Sequence, residues 1–379
     1  MRCASALSTH PVPAHAVGDV IGDVLQQPAT PSHATPADLA LIFTTPGFAG
    51  ASEDIMAAID SILSPKELLF VVSSGVIGAG SEVCRGPAIS IWLYWGGGAI
   101  GSEELVVLDL TAGVKSIDHA TQDALCESKA LVLLGNPDVE LVTQTIDEVC
   151  QKLPHVALSG ALLSSANGPV HILDRHGNDY GFVAIAFRNS SIEVALGHGS
   201  VALTPALKVT NSVGRMLCEI NGHSALEYAQ RVIASCETEM RAQTARDLAV
   251  AILDPLTGAV IDVCRVLGGD RTTGALALSS EIPHSSIVSL HRQDREGATA
   301  GLQEALGGQH SLGALVFASC AIDPESEREG AGGLSMLSDA IGSGAFAGAH
   351  ASAVIGSGSE QPGLRAAPLS AAIFGRDHH

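Results

Sequence analysis

Gly75-Val76-Ile77-Gly78-Ala79-Gly80-Ser81-Glu82 returns near the other end of the chain as Ala353-Val354-Ile355-Gly356-Ser357-Gly358-Ser359-Glu360. The flanks match as well. Leu39 to Phe43 (LALIF) precedes the first copy and Ala314 to Phe317 (ALVF) the second, while Ala88 to Leu93 (AISIWL) and Leu369 to Phe374 (LSAAIF) close them. Two glycine-rich segments between matching apolar runs imply two copies of one structural unit.

Working outward from the first copy, Val17, Val20, Ile21, Val24 and Leu25 share one helical face, and the stretch from Pro28 to Pro36 ends that helix as a linker. Ala40 to Phe43 reads as a buried strand. Ser52 then stands as a helix N-cap, with Glu53 and Asp54 at the positive end of the helix and Ile55, Ile59, Ile62 and Leu63 inward. Leu68 to Val72 is the next strand, Ser73 to Glu82 a turn, and Ile89, Ile91 and Leu93 alternate along a return strand. A second unit repeats this order. Its strands are Leu131 to Leu134, Val156 to Leu158 and Phe182 to Phe187. A helix opens at Asp138 with Val142, Ile146, Val149 and Leu153 inward, Ser159 to Ser165 takes the turn's place, and Val170 to Tyr180 is an inserted hairpin.

In the second half, Leu207 to Ile220 reads as a hairpin and Ser224 with Glu227 as a capping box. Short apolar runs follow, then a helix near Ala298 to Leu306, and then the terminal unit, with a helix at Leu334, Leu337 and Ile341 before the Val354 turn. The expected fold is α/β with mixed sheets: pseudo-repeated helix-strand-helix-strand-strand units forming two packed domains. Two related turns facing each other across a pseudo-twofold axis would place a ligand site between the halves.

Composition narrows the function. Of 379 residues 46% are apolar, enough for two cores, and 40 acids against 20 bases give a formal charge of −20 that repels nucleic acid and anionic lipid. No nucleic-acid or membrane partner is expected. The eight cysteines form no C-x-x-C pair, and His10, Pro11 and Pro13 interrupt any apolar run of secretion-signal length. The expected compartment is the cytoplasm, with free thiols. Aromatic residues make up 3% of the chain, so a pocket here would rely on backbone groups, glycine and serine.

Gly96-Gly97-Gly98-Ala99-Ile100-Gly101 spells G-x-G-x-x-G, but Leu105 to Leu110 behind it reads as a strand, leaving no helix N-terminus for a pyrophosphate. No cofactor is expected. In the Gly75 to Glu82 turn, Gly78 and Gly80 supply positive φ for a tight crossing, or the bare backbone lines a small-ligand pocket with Ser73, Ser74 and Ser81, rimmed by Glu82. His171, His176, Asp174 and Asp179 sit on the inserted hairpin, whose spacing fits a solvated loop better than a metal site. Cys320 is either a buried inert thiol or a nucleophile without a nearby histidine in sequence.

The LALIF, SSGVIGAGSEV and GPAISIWL segments between Asp38 and Leu93 resemble the opening of the N-terminal domain of the FIST family, the F-box and intracellular signal transduction proteins. Ala206 to Ala225 (ALKVTNSVGRMLCEINGHSA) is similar to that family's junction, and Ala229 to Phe374 resembles its C-terminal domain. The chain departs from the family at Val71-Val72, where a glycine-cysteine pair is common, at Gly197 to Ser200, and at Ser352 to Gly358; Cys320 matches a late cysteine. With the helix and linker at 1–36 and a tail at 376–379, the resemblance implies a FIST N-terminal-like domain at 37–222 and a FIST C-terminal-like domain at 223–375. It implies a sensor that binds a small polar, amino-acid-like ligand between its halves and signals through a partner protein, with no catalytic residues. The expected ligand-binding residues are Ser73, Ser74, Gly75, Gly78, Gly80, Ser81, Glu82, Ser159, Gly160, Cys320, Gly356 and Gly358, with no metal ligands. The rival readings are a hydrolase using Cys320 or a glycine-turn serine, and a scaffold that binds nothing.

Overall fold

The computed structural model describes residues 1–31, 35–96, 105–114, 123, 125–137, 141–164, 168–188, 192–197, 199–258, 260–279, 281–293, 298, 302, 311–319, 345–357, 362–365 and 369–375. The glycine run after Gly96, the helix start at Asp138, Cys320, the helix at Leu334 to Ile341, Gly358 and the tail lie outside the described residues, as does most of the helix expected near Ala298 to Leu306.

The chain opens with β1 (Arg2–Ser8), α1 (Pro13–Gln26), β2 (Leu39–Thr44), α2 (Ser52–Leu63), β3 (Glu67–Val72), β4 (Val76–Gly78), β5 (Ser81–Val83) and β6 (Ile89–Trp95). Strand β1 replaces the expected lead-in, which held only a helix and linker: Arg2 to Ser8 pair antiparallel with Trp95 to Ile89. Strands β2 and β3 run parallel on either side of α2, and β6 returns antiparallel to β2. Ala51, not Ser52, is the N-cap of α2, and Ile62 points outward at 57% exposure, so the buried stripe is Ile55, Met56 and Ile59.

Next come β7 (Leu105–Asp109), β8 (Ala130–Gly135), α3 (Val142–Lys152), β9 (Ala157–Leu163), β10 (His171–Asp174) and β11 (Phe182–Phe187). Strand β9 runs straight through Ser159 and Gly160, which were expected in a turn. The inserted hairpin leaves its own unit, and β10 extends the first sheet along β3.

Strand β12 (Ile192–Gly197) precedes β13 (Ser200–Ala202), β14 (Leu207–Val213), β15 (Met216–Ile220), β16 (His223–Ser224), α4 (Ala225–Ser235), α5 (Arg241–Arg246), β17 (Leu248–Leu253), β18 (Val260–Asp270), β19 (Ala275–Leu278) and β20 (Ile287–Gln293). Strands β14, β15, β19, β18, β17 and β20 pair in that order, and β20 pairs β14 to close a barrel. Ser224 caps α4 by accepting from the Glu227 amide at 3.2 Å. The boundary expected at 222/223 therefore runs through this barrel, with β14 and β15 on one side of it.

The chain ends with β21 (Gly313–Ser319), β22 (Phe346–Ser357), β23 (Pro362–Arg365) and β24 (Leu369–Phe374). The Val354 turn is likewise a strand, the second half of β22. One order recurs three times: β1-β6-β2-β3, β7-β11-β8-β9 and β12-β24-β21-β22, each with a parallel pair beside an antiparallel return strand. The second and third copies join through β9 and β22, antiparallel to each other, in an eleven-stranded sheet. Both glycine-rich copies meet this seam: β4 pairs Ala347 to Ala349, and the terminal copy pairs Ser159 to Ala161.

The five-stranded and eleven-stranded sheets pack face to face, with α1 and α2 covering one outer face and α3 the other. Sheets covered on both faces explain why LALIF, LVLLG and ALVF are continuous apolar runs without alternation. The scarce aromatics concentrate between the sheets: Trp92, Tyr94, Phe187 and Phe374 form one cluster with centroids 4.8 to 5.8 Å apart. Such pairs contribute about 0.5–1.5 kcal/mol each beyond their area.

Candidate functional site

All three repeated units meet just after β3. The Ser73 amide donates to Thr44 O at 3.0 Å and the Ser74 amide to Ser164 O, at the end of β9, at 2.9 Å. The His350 amide in β22 donates to Gly75 O at 3.0 Å, and the His350 carbonyl accepts from the Ser164 amide at 3.0 Å and from the Ser73 hydroxyl at 2.7 Å. The backbone of His350 is thereby bonded to both other units. Its imidazole lies against Gly75, where an added Cβ would stand 2.8 Å from the ring, so only glycine leaves the ring its place.

Beyond Gly75 the chain enters the β4–β5 hairpin, turned at Ala79 (φ 45°) and Gly80 (φ 77°). Two residues of positive φ in a two-residue loop are the type I′ geometry that matches strand twist. Strand β5 then carries Glu82 back toward β22. Glu82 and Cys84, two residues apart, lie on the same side of the chain. Both converge on His350: its Nε2–H donates to Glu82 Oε1, and Cys84 Sγ is 3.5 Å from Nε2 and 3.8 Å from Glu82 Oε1. The Glu82 and His350 side chains are 10% and 9% exposed. A carboxylate so far removed from water requires a partner, and the imidazole supplies it.

The expected site residues divide. Ser73, Ser74, Gly75 and Glu82 gather around His350, while Gly78 to Ser81 shape the hairpin that delivers Glu82. Gly78 packs on Ser90, whose hydroxyl donates to Ile77 O at 2.9 Å. Ser159, Gly160 and Gly356 serve the sheet. Ser159 Oγ pairs with Ser370 Oγ at 2.9 Å, Gly160 (φ 145°) lies where a Cβ would strike Leu133 O, and Gly356 abuts Leu196. Cys84 and His350 were not among the expected residues. The E-V-C spacing after the turn and the single large polar residue in the stretch AFAGAHASA (345–353) are the signals that mark them.

On the inserted hairpin, Asp174 accepts from the amides of His176 and Asn178, from Asn178 Nδ2 and from the Tyr180 hydroxyl. Burial alone would raise its carboxyl, but these bonds outweigh it and hold the group below the usual carboxylate range. The hairpin acids thus organise a turn. His171 pairs with Asp179 at 2.7 Å in the open.

The FIST N domain family matches residues 38–223. The chain carries a FIST N domain. Ser73 to Cys84 and Ser164 lie within this FIST N domain, and His350 lies outside it, so the cluster joins the domain to the terminal unit. Two uncharacterized proteins of Mycobacterium tuberculosis, MT0656 of strain CDC 1551 / Oshkosh and Rv0628c of strain H37Rv, are each 22% identical over 317 residues, covering 81% of this chain and 80% of theirs. Among the described residues no helix is long and apolar enough to cross a membrane.

Proposed function

We propose that this protein is a sensory module of signal transduction whose input site is the cluster of Ser73 to Gly75, Glu82, Cys84 and His350, and whose input is a small polar, amino-acid-like ligand. FIST domains are sensory and signalling modules. The observation that carries the site is the Glu82–His350 contact, buried between residues 268 apart in sequence and on different repeated units. A polar pair at such a seam has a net stabilising value near zero compared with apolar packing, but it offers a ready anchor for the charged ends of a metabolite.

The output would pass to a partner protein in the cytoplasm through the barrel. Arg265 of β18 donates to Ser352 O at 3.3 Å, two residues from His350, where β22 bulges against β9. A ligand that binds one arrangement of this seam better than another shifts the population between them by its differential affinity. The second half of the chain, 223–375, takes the role of the FIST C-terminal-like domain in this reading. A hydrolase reading has less support: the Ser73 hydroxyl is committed to a backbone carbonyl, and Cys84 Sγ stands 3.5 Å from Nε2 and 3.9 Å from Nδ1 of His350, off the hydrogen-bonding line of either ring nitrogen.

Amino acids and small carboxylates screened by calorimetry, with hydrogen exchange of the bound form, test the proposal. Protection is expected to rise together in 73–84 and 346–352. Binding that protects only the barrel would move the input site there.

A further inference from the structure

We infer that Glu82, Cys84 and His350 are the ligands of a divalent cation of the zinc class, held by one carboxylate oxygen, one thiolate and one imidazole nitrogen with a fourth position left open. The inference concerns the cluster assigned above to the input. It rests on that reading only for its consequence, that the cation anchors the polar ligand; the cation site itself stands on the donor set.

Two observations carry it. First, the donor atoms of these three side chains lie within 4.8 Å of one another, and among the described residues no other group of three metal-capable side chains does so. Second, the spacing around sulfur suits a tetrahedral ion. Zinc bonded to sulfur at about 2.3 Å and to nitrogen or oxygen at about 2.0–2.2 Å sets the donors roughly 3.6 Å apart; Cys84 Sγ stands 3.5 Å from His350 Nε2 and 3.8 Å from Glu82 Oε1.

The donor chemistry selects the ion. Thiolate with imidazole favours zinc over calcium or magnesium, which prefer oxygen alone. Thiolate and carboxylate together carry two negative charges, which a doubly charged cation neutralises inside a site whose Glu82 and His350 side chains are 10% and 9% exposed. Positioning is also built in. The His350 backbone donates to Gly75 O and accepts from the Ser164 amide and the Ser73 hydroxyl, and Glu82 and Cys84 ride together on and just after β5. On binding, the thiol and any proton held on the ligating imidazole nitrogen are lost to solvent, so affinity falls with acid.

The test uses the full chain, reduced and stripped with chelator. Zinc alone is titrated by calorimetry and cobalt alone by absorption. One equivalent is expected, with a thiolate-to-cobalt charge-transfer band. Cys84→Ser should abolish that band, and His350→Gln should weaken zinc by about tenfold or more, since loss of even an outer-shell partner costs about 10–100-fold. Zinc should also protect Cys84 of the unaltered protein from N-ethylmaleimide in peptide mapping, which holds the test open if a variant fails to fold. Absence of stoichiometric binding, a cobalt band that survives in Cys84→Ser, or Cys84 alkylation indifferent to zinc would each overturn the inference. Zinc binding without any response to amino acids or carboxylates would sink the input reading and leave the cation site, and the converse result would do the reverse.

Discussion

At the scale of single residues, the site is a matter of who stands beside His350. Gly75 is the most exacting neighbour, because the imidazole occupies the space where a side chain would begin. Gly75→Ala is expected to tilt the ring off Glu82 and to destabilise the protein by roughly 1–3 kcal/mol, the usual cost of overpacking a filled site. A urea denaturation series checks this as a lower midpoint at unchanged slope. The sequence shows Ser73, Ser74, Gly75 and Glu82 plainly, because they fall in one short polar-and-glycine stretch between apolar strands. Cys84 and His350 escape it for a physical reason: the contact between them is made across 266 residues by the pairing of β4 with β22, and no local pattern encodes a pairing between units.

Among the elements, those with strong apolar patterning are legible. The helix faces of α1 and α3, the strands β2, β3, β6, β8 and β11 and the β14–β15 hairpin all stand where their apolar spacing puts them. Those built of small residues are not: Cys3-Ala4-Ser5-Ala6 in β1 and Ala347-Gly348-Ala349 in β22 lack the β-branched and aromatic residues that mark strands, and they pair because neighbouring strands require partners. Glycine signals also mislead, since Gly160 reads as a turn yet serves a close strand approach. In the barrel, His291 of β20 sits under β13 with its Nδ1 2.8 Å from Ser200 Oγ, and burial lowers its pKa. The unfolded chain then takes up a proton, near pH 6.5, that the folded barrel resists, so stability is full above about pH 6.5 and falls as pH drops toward the folded value. Melting temperatures at pH 7.5 and 5.5 should differ more in the unaltered protein than in His291→Gln.

For the molecule as a whole, the topology makes the FIST N domain dependent on the last strands of the chain. Strands β4 and β9 both pair with β22, and the aromatic cluster between the sheets includes Phe374 from β24. A chain ending at residue 223 leaves those edges open and that face bare, so it is expected to aggregate or to elute as large species on size exclusion, where the full chain elutes as a defined species. A soluble, monomeric 1–223 fragment would contradict the shared-sheet description.

The same dependence makes the Glu82–His350 seam a natural place to sense a ligand, because its residues come from separate units that a ligand can draw together. The most direct test is differential scanning fluorimetry of the unaltered protein and Glu82→Gln against amino acids and small carboxylates, with and without zinc. A ligand at a hundred times its Kd adds about 2.7 kcal/mol to the folded state. At least one compound is expected to raise the melting temperature of the unaltered protein and leave that of Glu82→Gln unmoved. Equal stabilisation of both proteins, or of neither by any compound, would contradict the assignment of the Glu82–His350 seam as the input site.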